Sequence, residues 1–207
     1  MKIIFATKNE GKVAEMRTIL KNLAIEIMTA AEFGITEEII ESGKTFEENA
    51  LIKSRYVAQK TNAWAIADDS GLCLEALGGA PGVYSARWPR DPLDARSAGQ
   101  NLTPADYEKK TIESLKNETN RRAWFESAVA LVAPDGHARL FHGRISGTIS
   151  LTPRGVAVPG LPYDTVFIPD GYRQTFAEIG QVAKNKISHR ELAFRQLRKF
   201  LANIKAR

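Results

Sequence analysis

Residues 63–67 read Ala-Trp-Ala-Ile-Ala, and the run breaks off at Asp68-Asp69-Ser70-Gly71. An apolar run of that length, closed by turn residues, suits a short buried strand. Such a strand belongs in the covered sheet of an α/β protein. In open sheets of that kind, ligands bind in the crevice outside the carboxyl ends of the strands. The sequence thus puts two carboxylates at such an end, where neighbouring acids repel unless a cation or a shared proton intervenes. Mg²⁺ is the simplest cation for the place, since it takes oxygen ligands and is commonly held by one or two carboxylates together with substrate phosphates. A solvated Asp-Asp-Ser-Gly turn that binds nothing is the competing reading, and only the rest of the chain decides between them.

The chain has 207 residues, 43% of them hydrophobic, which is enough to bury a core as one domain or two joined lobes. No internal domain boundary stands out. Its single cysteine, Cys73, excludes an internal disulfide framework and a multi-cysteine zinc site, and a reducing compartment, the cytoplasm, is the default expectation. The opening apolar run, Ile3 to Ala6, is shorter than a signal-peptide core, and no run reaches a membrane span of about 20 residues. The net charge of +5 raises nucleic acid or another polyanion as a partner. The basic residues are spread out, however. The densest group, Arg195, Arg198, Lys199, Lys205 and Arg207, interleaves with Leu197, Phe200, Leu201 and Ile204 as on an amphipathic helix.

Residues 2–7 form another short apolar strand. Asn9 is placed to cap a helix that carries Val13, Met16, Ile19, Leu20 and Leu23 at helical spacing. A strand, tight turn and helix in that order aim free N–H groups of the first helical turn at an anion, and Lys12 adds a charge there. This is no P-loop, because Ala6 and Val13 stand where a glycine and a Mg²⁺-binding hydroxyl belong. A strand is expected at 24–28. Glu41-Ser42-Gly43-Lys44 is a turn, and Thr45 with Glu48 forms a capping box for a helix to about residue 60, with Phe46, Ala50, Val57 and Ala58 on its buried side. Glu41 would bring a third carboxylate towards Asp68 and Asp69.

Glycine-rich residues 78–82 read as an ordered loop, and 83–102 as irregular. Thr103-Pro104 starts a helix. Residues 122–133 and 137–149 are two long strands joined by Pro134-Asp135-Gly136. The stiff loop 159–162 delivers Tyr163 and Asp164 to the head of a strand at 166–168, where tyrosine either packs in the core or stacks on a flat ring, with aspartate reading a ring N–H. The stretch 184–191 starts the last helix, with Ser188 and Glu191 as its capping box. His189 and Arg190 then sit at the helix's positive end, a poor place for cations unless an anion or an acceptor-rich ligand is met there.

Ala6-Thr7-Lys8-Asn9-Glu10-Gly11-Lys12, the stretch 41–50, Ala67-Asp68-Asp69-Ser70-Gly71-Leu72, the stretch 79–87, Tyr163-Asp164 and Ile187-Ser188-His189-Arg190 occur in one order. Together they resemble the inosine triphosphate pyrophosphatase family over nearly the whole chain. The resemblance implies an α/β fold with a mixed central sheet and flanking helices, two lobes around a cleft, and a homodimer. It implies Mg²⁺-dependent hydrolysis of ITP, dITP or XTP to the monophosphate and pyrophosphate, which cleanses the nucleotide pool. By the same resemblance Thr7, Asn9 and Lys12 bind phosphate, as does position 8 in their turn. Glu41, Asp69 and Asp68 are associated with the metal, and Asp69 is the proton acceptor. Ser70 touches substrate, and Leu161, Pro162, Tyr163, Asp164, Lys184, His189 and Arg190 surround the base and its neighbouring groups.

This chain departs from the family pattern in having Lys8, Leu161-Pro162 and Thr165 where Gly, Phe-Gly and Pro are usual, which removes a ring and an N–H from the base region. The rival enzyme is a house-cleaning pyrophosphatase for another altered nucleotide. The rival from a different class is a basic nucleic-acid-binding protein, for which no RNP-type or zinc-knuckle motif is present.

Overall fold

The computed structural model describes residues 2–21, 23, 25–90, 101–158 and 160–205. Ala24, residues 91–100, Pro159 and Arg207, which enter the expectations above, lie outside them. Strands β1 (Lys2–Phe5), β2 (Glu26–Thr29), β3 (Trp64–Leu74), β4 (Arg122–Val132), β5 (Ala138–Ile149) and β6 (Phe167–Pro169) form a sheet in the order β2-β1-β3-β4-β5-β6. β1 pairs in parallel with β2 and β3, and β5 pairs antiparallel with β6, so the sheet is mixed. The α-helices are α1 (Glu10–Ile19), α2 (Phe46–Thr61), α3 (Pro104–Ser114), α4 (Phe176–Ile187) and α5 (His189–Lys205). The chain divides into two compact units, one of Met1–Ser70, Ser127–Arg144 and Ser188–Arg207, the other of Gly71–Glu126 and Ile145–Ile187.

In the first unit, Asn9 caps α1 as its sequence position dictates, its Oδ1 accepting the Lys12 N–H at 3.1 Å. Val13, Met16, Ile19 and Leu20 of α1 pack with Ile3, Phe5 and Ile66 and with Phe194, Leu197 and Leu201 of α5. The opposite face of the same strands, Ile4, Ala6, Ala65 and Ala67, packs with Val57 and Ala58 of α2. Side chains alternate along a strand. Asp68 therefore follows Ile66 towards α1 and α5, whereas Asp69 follows Ala67 towards α2.

The second unit has its own core, in which Leu72, Leu74, Phe125, Tyr163, Phe167 and Phe176 are buried together. The rings of Phe125 and Phe167 lie 4.8 Å apart and those of Phe167 and Phe176 5.0 Å. These are the separations at which tilted aromatic pairs attract.

Three expectations change. β3 does not stop at Ala67 but runs on through both acids to Leu74, because Leu72 and Leu74 are fully buried strand residues. Gly71 is no turn residue either: a Cβ there would overlap Ser85 Oγ and the Gly82 carbonyl, so the glycine answers a close approach. What does end near the acids is the parallel pairing, since Phe5 pairs with Ile66. Lys184 lies on α4, a helix the sequence reading lacked, interrupted at Gly180 (φ 77°), and the last helix begins at His189. The glycine-rich stretch is held between two 3-10 turns, Glu75–Leu77 and Gly82–Arg87.

Candidate active site

The two acids of β3 have different partners. Lys12, in the first turn of α1, places Nζ 2.8 Å from Asp68 Oδ2. Arg190, in the first turn of α5, brings Nε within 3.7 Å of the same oxygen, donates from Nη2 to Ser70 Oγ at 3.3 Å, and pairs through Nη1 with Glu15 at 3.3 Å. Burial alone would raise the Asp68 pKa. Lys12, Arg190 and Lys53 outweigh it and hold the carboxyl below its ordinary range. Burial pushes Lys12 down in spite of Asp68. Asp68 Oδ1 is buried and takes no hydrogen bond among the described residues.

Asp69 faces α2. Its Oδ2 accepts from Asn49 Nδ2 at 2.9 Å, and its Oδ1 accepts from the Ser70 N–H at 3.0 Å. Lys53 Nζ lies 2.7 Å from Glu41 Oε1 and 3.8 Å from Asp69 Oδ1, so one ammonium joins both acids. Burial also pushes Asp69 up, and Lys53 and Asn49 offset only part of it, leaving the carboxyl above its usual range. For Lys53 burial works downward, yet Asp69, Asp68 and Glu41 together raise it. Adjacent carboxyls driven in opposite directions are the pattern by which sites separate a permanently ionised acid from one that takes a proton.

The sequence reading missed Asn49, Lys53 and Glu15, all buried. A signal for two of them was present. Residues 46, 49, 53 and 57 share a helical phase, and Asn49 and Lys53 are polar intrusions in that otherwise apolar stripe. Glu15 gave no such sign, because its partners Arg190 and Ser188 lie at the far end of the sequence.

In the turn between β1 and α1, Thr7 Oγ1 accepts the Asn9 N–H at 3.2 Å. Lys8 is exposed and donates to the Thr36 carbonyl at 2.8 Å. His189, almost fully buried, is the first residue of α5.

The remaining expected residues belong to the second unit. Leu161 and Pro162 are half-buried. Tyr163 is packed edge-on against Tyr107 at 5.4 Å and donates its hydroxyl to the Ser85 carbonyl at 2.6 Å, which makes it a core residue, with burial raising its pKa. Asp164 accepts from Lys184 at 2.6 Å in a buried ion pair. Thr165 Oγ1 donates to Glu108 at 2.6 Å.

The expected three-carboxylate metal set divides. Glu41 and Asp69 share Lys53, and Asp68 turns to Lys12 and Arg190. Among the described residues no three His, Cys, Asp or Glu side chains are grouped to hold an ion. The donors still suit a hard cation of the Mg²⁺ kind, which needs only one or two carboxylates when phosphate oxygens and water complete its shell. Glu41 and Asp69 are already gathered around one positive charge.

Strand-borne acids meeting cations from helix starts, on a mixed sheet covered by helices, define an α/β protein equipped for anionic, phosphate-bearing ligands. The chain belongs to the Ham1 family, whose model matches residues 3–200. A dITP/XTP pyrophosphatase of Zymomonas mobilis subsp. mobilis is 44% identical over 196 residues, covering 95% of this chain and 90% of that protein. One of Bacillus subtilis is 42% identical over 198 residues, 96% of each chain. The solved structure of a Ham1 protein from Coxiella burnetii is 37% identical and superposes with a TM-score of 0.87, over 98% of this chain and 99% of that one. That of the Staphylococcus aureus Ham1 protein is 34% identical with a TM-score of 0.84 over the same shares.

Proposed function

We propose that this protein hydrolyses non-standard purine nucleoside triphosphates, of the dITP, XTP and ITP kind, to the monophosphate and pyrophosphate. The observation that carries the chemistry is the split of the β3 acids, Asp68 held ionised between Lys12 and Arg190 and Asp69 pushed towards accepting a proton. The substrate class follows relatives that bear that activity in their names and match nearly the whole chain.

In this mechanism Asp69 takes a proton from water as its oxygen attacks the α-phosphorus. The bond from that phosphorus to the bridging oxygen of the β-phosphate breaks, and pyrophosphate leaves with the electron pair. Lys12 and the free N–H groups of the first α1 turn offset the growing charge on the leaving group. Asp68 keeps Lys12 and Arg190 in place.

Three cations, Lys12, Lys53 and Arg190, face four carboxylates, Glu15, Glu41, Asp68 and Asp69, so this cluster has no positive excess to offer a triphosphate. That balance favours substrate arriving with a divalent cation, which Glu41 and Asp69 would hold. Mg²⁺, when bound, supplies charge neutralisation at the phosphates and makes water easier to deprotonate. The family resemblance extends the reading to a homodimer, which sedimentation would register as about twice the 22.9 kDa chain mass.

The test is a panel of ITP, XTP, dITP, GTP and ATP with Mg²⁺, read by pyrophosphate release. Pyrophosphate from the first three, with weak turnover of GTP and ATP, is expected. Orthophosphate as the first product would overturn attack at the α-phosphorus. Asp69→Asn should remain folded and lose hydrolysis.

A further inference from the structure

We propose that Asn49 is a positioning residue for this reaction: its side-chain amide, clamped between the Gly43 N–H and Asp69 Oδ2, fixes the plane of the Asp69 carboxylate and ties the Glu41 loop to it. The inference rests on reading Asp69 as the proton acceptor, and it assigns to Asn49 of α2 a part in the chemistry that the resemblance gave to no residue of that helix.

The bonding scheme admits one orientation of the amide. A backbone N–H only donates, so Gly43 N, 2.8 Å from the side chain, must face the amide oxygen. The NH₂ group is thereby turned to Asp69 Oδ2 at 2.9 Å. Asp69 Oδ1 meanwhile accepts from Ser70 N at 3.0 Å. Each carboxylate oxygen thus has one fixed donor, from two different elements, and keeps a lone pair free for a proton. Rotation of the carboxylate about its own axis would break both bonds.

The loop side is built as tightly. A Cβ on Gly43 would fall 2.7 Å from Asn49 Oδ1, 2.9 Å from Asn49 N and 2.6 Å from Glu48 Cβ. Glycine is what lets the 41–44 loop reach the amide. Glu41, two residues earlier, is then delivered to Lys53, one helical turn beyond Asn49 on the same face of α2. Asn49 itself is 1% exposed, and none of its hydrogen-bonding geometry is spent on solvent. Aspartate at this position would keep the Gly43 bond and present an acceptor to Asp69, while serine would be too short to bridge both partners.

A buried asparagine with a purely structural role predicts lower stability and an unchanged rate per folded molecule. A positioning residue predicts loss in kcat at nearly constant KM, because a misplacement of about 1 Å at the reacting group costs up to about a hundredfold. The experiment compares Asn49→Ser, Asn49→Asp, Gly43→Ala, the Gly43→Ala/Asn49→Ser double variant and Asp69→Asn. Each is checked for fold by circular dichroism and assayed with dITP and Mg²⁺ for kcat and KM. Expected are kcat losses of about 10- to 100-fold for Asn49→Ser and Gly43→Ala with KM within about threefold. Asn49→Asp should be lower still, and the double variant no worse than its worse parent, since both act through one bridge. Wild-type kcat in folded Asn49→Ser, a loss confined to KM, or losses that multiply in the double variant would each overturn the proposal. Should Asn49→Ser not fold, folded Gly43→Ala decides alone, and wild-type kcat there overturns it. Full turnover by Asp69→Asn would instead overturn the reading of Asp69 as base, whereas a dead Asp69→Asn beside a fully active Asn49→Ser refutes only the role of Asn49.

Discussion

Lys53 keeps Glu41 and Asp69 near each other through a single ammonium. Both partners draw on its charge, and its own burial is tolerated only because they do. Lys53→Met would leave two carboxylates facing one another with no cation between them. The typical cost of breaking a buried pair is several kcal/mol, and because Glu41 is about one-third exposed a smaller loss of about 2–3 kcal/mol is expected in urea unfolding. The same lysine separates folding from metal binding. Chelation with EDTA should abolish turnover while leaving the far-ultraviolet circular dichroism and the unfolding midpoint of the substrate-free protein unchanged. A chelator-induced loss of structure would mean that the acids need the ion in order to assemble.

At the level of elements, the helix starts were written locally and the site was not. Asn9, Thr45 and Ser188 each accept from a backbone N–H three residues on, as their sequence positions dictate, because a cap needs only its own turn. Thr45→Ala should therefore cost about 1 kcal/mol of stability, measured as a shifted urea midpoint, with KM unchanged because the site residues of α2 begin a turn later. The long strands at 122–132 and 138–149 were legible from their apolar content and the Pro-Asp-Gly turn between them. The end of β3 was not, since Ser70-Gly71 carries turn chemistry while the residues that keep it extended, Ser85 and Gly82, lie more than ten positions away. α4 escaped for the opposite reason: Gly180 interrupts its helical period from within. Tyr163 was left open between core and ligand, and its contacts with Tyr107 and Ser85 are those of a core residue. Gly143 on β5 is another distant requirement, because a Cβ there would meet Ala193 N at 2.7 Å and Leu192 Cβ at 2.9 Å in α5. Gly143→Ala should destabilise by about 1–3 kcal/mol through overpacking, and should also raise KM, because the helix it displaces carries Arg190 in its first turn. A stability loss with KM unaltered would show that α5 yields without moving its start.

Over the whole chain the net charge is +5, yet the three cations of the candidate site, Lys12, Lys53 and Arg190, are matched or exceeded by its four acids. Attraction of a polyanionic substrate from a distance must then come from the remaining, dispersed basic residues, and it acts over no more than about 10 Å at 0.1 M ionic strength. Contacts within the buried cluster are screened far less. The dependence on salt should accordingly fall on encounter and not on chemistry: between about 0.02 M and 0.3 M salt, kcat/KM is expected to drop about three- to tenfold while kcat stays constant. A fall in kcat itself would place solvent-screened charges in the rate-determining step and contradict the burial of Asp68 and Lys53. The same titration separates the enzyme from the nucleic-acid-binding alternative. A protein whose purpose is to grip a polynucleotide backbone neutralises some six or more phosphates and shows a correspondingly steep slope of log affinity against log salt. Basic residues scattered as they are here should give a slope of about one or two for an oligonucleotide, weak binding at physiological salt, and no competition with dITP hydrolysis. Tight oligonucleotide binding that survives in Asp69→Asn and blocks access of dITP would transfer the charge excess from substrate encounter to a second partner.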